Sequence, residues 1–154
     1  MVGRLIVAVV ALVLLAGCSG MKTYPNMLEK NLTVHTKARS ESLFPRLRVD
    51  IDIFDVVGDC RVEYRGSLKL DQPSIEIGLP VNKPSYLSIV FTRNSIGSRS
   101  TLTHETVLTP RPQHYYSAEV SHLDGMYQVI FRERGATRNS PARVLPRKPL
   151  TNCE

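Results

Sequence analysis

From Leu32 onward apolar side chains recur at every second position, a periodicity that limits the chain to half-buried β-strands. The clearest stretch sets Leu47, Val49, Ile51 and Ile53 on one face and Arg46, Arg48, Asp50 and Asp52 on the other. A strand with one wet face and one dry face belongs to an antiparallel sheet that packs on a second layer. No stretch of this region shows the three-to-four spacing of an amphipathic helix, and no internal repeat is present.

Turn chemistry turns these strands into hairpins. Gly58-Asp59 reads as a two-residue turn, which would pair Ile53 with Tyr64, Val49 with Leu68 and Leu47 with Leu70 on the inner side. The same register puts Asp52 opposite Arg65 outside and leaves one misfit, Arg48 opposite Lys69. Asp124-Gly125 is a type I′ signal that pairs Val120 with Val129, Ala118 with Phe131 and His122 with Tyr127. Segments 32–37, 74–79, 85–92 and 101–109 complete the set, separated by Pro80, Pro84 and a polar loop at 93–100. The expected fold is therefore all-β, an antiparallel β-sandwich of about seven to eight strands over residues 32–134, immunoglobulin-like or transthyretin-like. Residues 135–154 form an Arg/Pro-rich tail. Pro141, Pro146 and Pro149 exclude regular pairing there, so the tail is expected to lie over the domain as an extended segment pinned by a covalent link.

The N-terminus carries an address. Arg4 precedes an unbroken apolar run, 5–16, too short for a bilayer span of roughly 20 residues. It ends in Leu15-Ala16-Gly17-Cys18, which resembles the lipobox of bacterial lipoproteins. That resemblance implies a signal peptide at 1–17, cleavage before Cys18, a diacylglycerol on its sulfur and an acyl chain on its freed amine. Ser19 in place of Asp resembles the default Gram-negative route to the outer membrane, so the expected site is that membrane, facing the periplasm. Residues 18–31 then read as a lipidated tether. The mature chain has 137 residues, enough for one domain, and a formal charge of +5 once Arg4 is removed.

Export decides the cysteine arithmetic. With Cys18 given to lipid by the resemblance, Cys60 and Cys153 remain as an even pair in an oxidising compartment, expected as a disulfide rather than two free thiols. Closing a loop of over ninety residues stabilises the fold by about 4 to 5 kcal/mol in the chain-entropy estimate. Fourteen of the twenty basic residues are Arg, but both signs alternate along the chain, which suits a solvated surface more than a nucleic-acid interface.

Motifs for chemistry are sparse. Asp50 and Asp52 share a strand face, yet the register supplies Asp52 with an arginine, and no Gly-x-Ser-x-Gly elbow or phosphate-binding glycine loop occurs. His35, His104, His114 and His122 match no short metal spacing, so neither metal nor cofactor is expected. The Asn31-Leu32-Thr33 sequon is read as chance. Candidate binding residues are Arg93 and Arg99 in the polar loop, suited to carboxylate or phosphate oxygens, with Tyr115 and Tyr127 as ring surfaces. The expectation is a non-enzymatic, lipid-anchored interaction or accessory module of a cell-envelope assembly, bound to the membrane and to an envelope protein. A small-ligand or glycan-binding lipoprotein is the alternative. Sandwich lipoproteins of secretion systems, including the transthyretin-like subunit of the type VI apparatus, share the anchor and the expected architecture, but no motif here ties the chain to them.

Overall fold

The computed structural model describes residues 22–37, 47–95, 98–123, 126–137 and 140–152. Cys18 and Cys153 lie outside them. Nine strands occur among the described residues: β1 (Leu32–Thr36), β2 (Leu47–Val57), β3 (Arg61–Lys69), β4 (Ser74–Ile77), β5 (Ser85–Ser95), β6 (Ser98–Leu108), β7 (Tyr115–Leu123), β8 (Met126–Arg134) and the two-residue β9 (Arg143–Val144). They form a β-sandwich of two sheets, ordered β4-β1-β7-β8-β9 and β3-β2-β5-β6.

The sheet topology differs from expectation in two details. β1 and β7 pair in parallel, so the first sheet is mixed rather than purely antiparallel. The immunoglobulin-like arrangement, which keeps its first two strands in one sheet, does not hold because β1 and β2 lie in different sheets.

The inner faces meet as the alternation predicts. Val49, Ile51 and Ile53 of β2 sit beside Phe91, Ile89 and Leu87 of β5, and all six are buried against Val34, Ala118, Val120 and Phe131 of the other sheet. Complete burial of one such aliphatic side chain favours folding by about 1.5–3 kcal/mol.

The β7–β8 hairpin has the expected register, with Val120 opposite Val129, Ala118 opposite Phe131 and His122 opposite Tyr127. The β2–β3 hairpin does not. Its turn has three residues, Gly58 to Cys60, with φ of 61° at Asp59 and 56° at Cys60, and a bulge between Ile53 and Phe54 shifts the register again. Ile53 therefore faces Gly66, Ile51 faces Leu68 and Asp52 faces Ser67, not Arg65. Asp50, not Arg48, lies opposite Lys69, which removes the misfit. Tyr64, expected inside, turns outward to meet Phe54, whose ring centroid is 5.3 Å away, with Tyr86 5.5 Å from Phe54 on its other side. Cys60 is disulfide-bonded.

The expected tether is, from residue 22, part of the fold. Thr23 bridges Ser67 in parallel, Tyr24 N donates to Ser67 O at 3.0 Å, and the buried Tyr24 hydroxyl donates to Gly78 O at 2.7 Å. Asn31, the sequon residue, is buried, and its amide exchanges two hydrogen bonds with the Leu79 backbone at 2.8 and 2.9 Å. This N-terminal strap runs so close to the sheets that two glycines are required: a Cβ on Gly66 would lie 2.5 Å from Tyr24 N, and one on Gly78 would lie 2.7 Å from the Leu28 carbonyl carbon.

A second strap closes the opposite side. β9 pairs with β8, Leu145 N donates to Phe131 O at 2.8 Å, and Val107 N donates to Lys148 O at 2.8 Å. The tail thus joins the β8 edge of one sheet to the β6 edge of the other through backbone bonds. Expecting only a covalent link to hold it was incorrect: Pro141, Pro146 and Pro149 flank the bonding positions rather than occupy them.

Candidate functional site

The alternation that buries Tyr127, Val129 and Phe131 of β8 continues to Glu133, so an acidic side chain is carried onto the inner phase. Only 7% of that side chain is exposed. An unpaired carboxylate there would be costly, and the surroundings supply four donors. Glu133 Oε1 accepts from Arg111 Nε at 3.0 Å, from Arg111 Nη2 at 2.7 Å and from the Tyr116 hydroxyl at 2.8 Å. Oε2 accepts from Arg143 Nη2 at 3.0 Å. Tyr116 lies opposite Glu133 in the β7–β8 register, and its hydroxyl also accepts from the Arg111 backbone N–H at 3.0 Å. Arg111 comes from the β6–β7 connection and Arg143 from β9, so the carboxylate ties a loop and the C-terminal strap to this end of the sandwich.

Burial by itself pushes the Glu133 carboxyl upward, but the hydrogen bonds from Arg111 and Tyr116, the Arg111 charge and the Arg143 hydrogen bond outweigh it and hold the group below the usual carboxylate range. Burial pushes the Tyr116 hydroxyl upward, and its bond to Glu133 adds to that. With its oxygens engaged by these donors, Glu133 is suited to orienting two guanidinium groups rather than to moving a proton.

Those guanidinium groups face water. Arg111 is 55% and Arg143 70% exposed, so each binds a buried anion while offering its remaining N–H donors outward. They open on a cleft of about 400 Å³ between the sheet ends and the C-terminal strap, where Arg147 and Lys148 add two more cations. Phe131, Leu145 and Pro146 give the cleft an apolar floor. Four cations against one carboxylate leave a surplus positive charge in a concave site, chemistry that suits carboxylate or phosphate oxygens attached to an apolar body. His104, half-buried on β6, stacks on Phe131 at 6.1 Å; burial and the Arg147 charge lower its pKa, against an opposing effect of Glu105.

The residues singled out from sequence do not assemble into one site. β5 runs to Ser95 and β6 starts at Ser98, so the polar loop expected at 93–100 is mostly strand. Arg93 and Arg99 are exposed on opposite faces of that ribbon, because Arg93 continues the inner phase of Phe91 and Arg99 the outer phase of Glu105. Tyr115 is 53% exposed at the start of β7, whereas Tyr127 pairs with His122 seven residues further along, about 23 Å away at the usual strand rise. The Tyr127 ring is part of the inner layer, 4.9 Å from Phe91 and 4.5 Å from His122 between centroids. Of the four, only Tyr127 and Arg93 share an end and a phase.

Asp50 pairs with Arg48 at 2.5 Å, Asp52 accepts from Ser67, and Arg65 pairs instead with Asp55 at 3.2 Å. Among the described residues no three His, Cys, Asp or Glu side chains converge to hold a metal. His114 bonds Pro112 O through Nδ1 at 2.8 Å, and His122 stacks on Tyr127.

Glu133, Arg111, Arg143 and Tyr116 were not among the sequence candidates. One signal did exist: an acidic residue on the inner phase of a strand must find partners. Nothing in the sequence spacing points to Arg111 or Arg143, which reach Glu133 from irregular or very short segments. No family model, curated protein or solved structure matches the chain.

Proposed function

We propose that this protein is a non-enzymatic, lipid-anchored accessory subunit of a bacterial envelope assembly, docking an acidic segment of a partner protein in the cleft under its C-terminal strap. The observation that carries the reading is the pair Arg111 and Arg143, held by one buried carboxylate with most of each side chain facing solvent. An arginine fork oriented in advance binds a carboxylate bidentately with little further ordering cost. The placement of β1 and β2 in different sheets is compatible with the transthyretin-like expectation, the architecture of a lipoprotein subunit of the type VI secretion apparatus. Fold analogy raises the reading without establishing it.

The anchor reading also acquires geometry. Ser67 N donates to Lys22 O at 2.8 Å, so the strap is fixed from residue 22. The four residue steps from Cys18 to Lys22 reach roughly 14 Å at most. A lipidated Cys18 would therefore seat the domain on the membrane surface rather than hold it off on a flexible leash.

Two experiments test the proposal. Cys18→Ser should move the protein from membrane to soluble fractions, and unchanged membrane retention would reject the anchor. A photo-crosslinking residue at position 109, exposed on the lining of the cleft, should capture a partner through an acidic peptide, lose that adduct with Arg111→Gln, and exceed a control at exposed position 63. Equal capture at both positions would reject the cleft as the docking surface. A small anionic ligand is the second reading, favoured by a cleft volume within the range of ligand pockets; it predicts no protein adduct and a ligand-dependent rise in melting temperature.

A further inference from the structure

Large apolar side chains stay exposed along the N-terminal strap and beside it: Met27 at 90%, Leu28 at 49%, Val81 at 43% and Tyr115 at 53%. Leu28, Val81 and Tyr115 line one shallow hollow of about 190 Å³. Leu28 also lines a second, of about 440 Å³, with Tyr24, Val57 and Pro84. The two hollows share Leu28 and Pro80, so they make one apolar surface that continues from the strap onto the 80–84 turn. Its border is basic. Lys30 lines the first hollow and Lys83 the second, both exposed, and exposed Lys22 heads the strap. Of the acids on the two linings, Asp55 is paired with Arg65 at 3.2 Å, which leaves Glu29 to oppose the lysines.

The direction of the strap ties this surface to the anchor. Thr23 bridges Ser67 in parallel, with Ser67 N donating to Lys22 O and Tyr24 N to Ser67 O. β3 starts at the β2–β3 turn, so residues 22–24 run away from that end of the sandwich, and an anchor at Cys18 lies back toward it. The 80–84 turn occupies the same end, since Val56 N donates to Pro84 O at 3.2 Å and Asn82 N to Pro110 O at 2.8 Å. Met27 is five residue steps from Lys22, roughly 17 Å at most, and Cys18 is four steps from it on the other side. A bilayer holding a lipid on Cys18 is therefore the nearest apolar medium to Met27 and Leu28.

We propose that this end of the sandwich is a membrane-apposed face: Met27, Leu28, Val81 and Tyr115 enter the headgroup region of an anionic phospholipid bilayer, while Lys22, Lys30 and Lys83 meet its phosphates. The apposition rests on the lipid-anchor reading of Cys18, which fixes where the bilayer is. Tyrosine, with an apolar ring and a polar tip, suits the boundary between headgroups and acyl chains. Each lysine held near an anionic leaflet favours contact about fivefold. A protein could cover the same side chains, but the short tether brings lipid to them first, and the surplus of lysine over glutamate matches an anionic surface.

Photo-crosslinking from the full-length protein in its native membrane tests this. A photo-reactive residue at position 27 or 81 should give phospholipid adducts, identified by mass, several times more often than one at position 103, exposed on the β6 edge away from the strap. Met27→Asp should leave the melting temperature nearly unchanged, because the side chain is already in solvent, and should lower the lipid adduct at 81. Lys83→Gln should lower the adduct at 27 about fivefold. Lipid adducts no more frequent at 27 and 81 than at 103, or protein adducts in their place, would overturn the proposal. Fractionation of Cys18→Ser reads the anchor separately. Release from the membrane without preferential lipid adducts at 27 and 81 keeps the anchor and overturns the face, whereas unchanged retention removes the anchor on which the face rests.

Discussion

The two straps close the sandwich by different physics. The N-terminal strap is built into the core: Tyr24 and Asn31 are buried, their ties to Gly78 and Leu79 are uncharged, and Gly66 and Gly78 are bare so that its backbone can approach. The C-terminal strap has backbone bonds to β8 and β6 but adds charge at its rim, through Arg143 on Glu133 and Arg147 on the Glu105 carbonyl, and it leaves a cleft beneath it. Close packing with neutral hydrogen bonds makes a rigid closure, insensitive to salt and acid. A closure that relies on ions keeps a charged, concave surface available for a partner.

Removing the clearance under the N-terminal strap should have the largest effect. Gly78→Ala forces its Cβ into the Leu28 backbone and should lower unfolding stability by about 3 kcal/mol in chemical denaturation. A loss under 0.5 kcal/mol would show that this strap is loosely held after all. Glu133→Ala should cost less, about 2 kcal/mol, because it strands the Tyr116 hydroxyl but leaves two arginines that water can reach. A cost equal to that of Gly78→Ala would erase the distinction between the closures.

Tyr24→Phe removes one buried hydrogen bond and should cost about 1 kcal/mol, with no change in salt dependence. The gentlest perturbation is acid. The Glu133 carboxyl is held below its ordinary value of about 4.3, so its stabilisation is complete above that pH and fades as pH falls through the lowered folded value. Hydrogen-exchange protection of the Leu145 and Lys148 amides should therefore decline in acid before that of the Tyr24 and Asn31 amides. Simultaneous loss would mean that the straps open as one unit.

How much of this was legible depends on the element. The Asp124-Gly125 hairpin could be read to the residue because the turn and the apolar phases of both strands agree. The β2–β3 hairpin misled because Asp59 and Cys60 both take left-handed backbone and a bulge adds a second shift, so the Tyr64 side chain, apolar by sequence, belongs outside. A one-residue slip moves every following side chain to the other face. Residues 22–31 looked like a spacer because their bonds go to residues some fifty positions away, and no local pattern encodes such partners. The candidate site was half visible: Glu133 announced itself by phase, while the arginines that satisfy it did not.

The sequence by itself determined the main strands, their inner phase except at the turn end of β3, and the class of fold, because two-residue periodicity and turn chemistry are local properties of the chain. Only the tertiary structure decided which segments close the sandwich and which arginines meet Glu133. Those outcomes follow from long-range packing and from the need of one buried carboxylate for partners, wherever in the chain they lie.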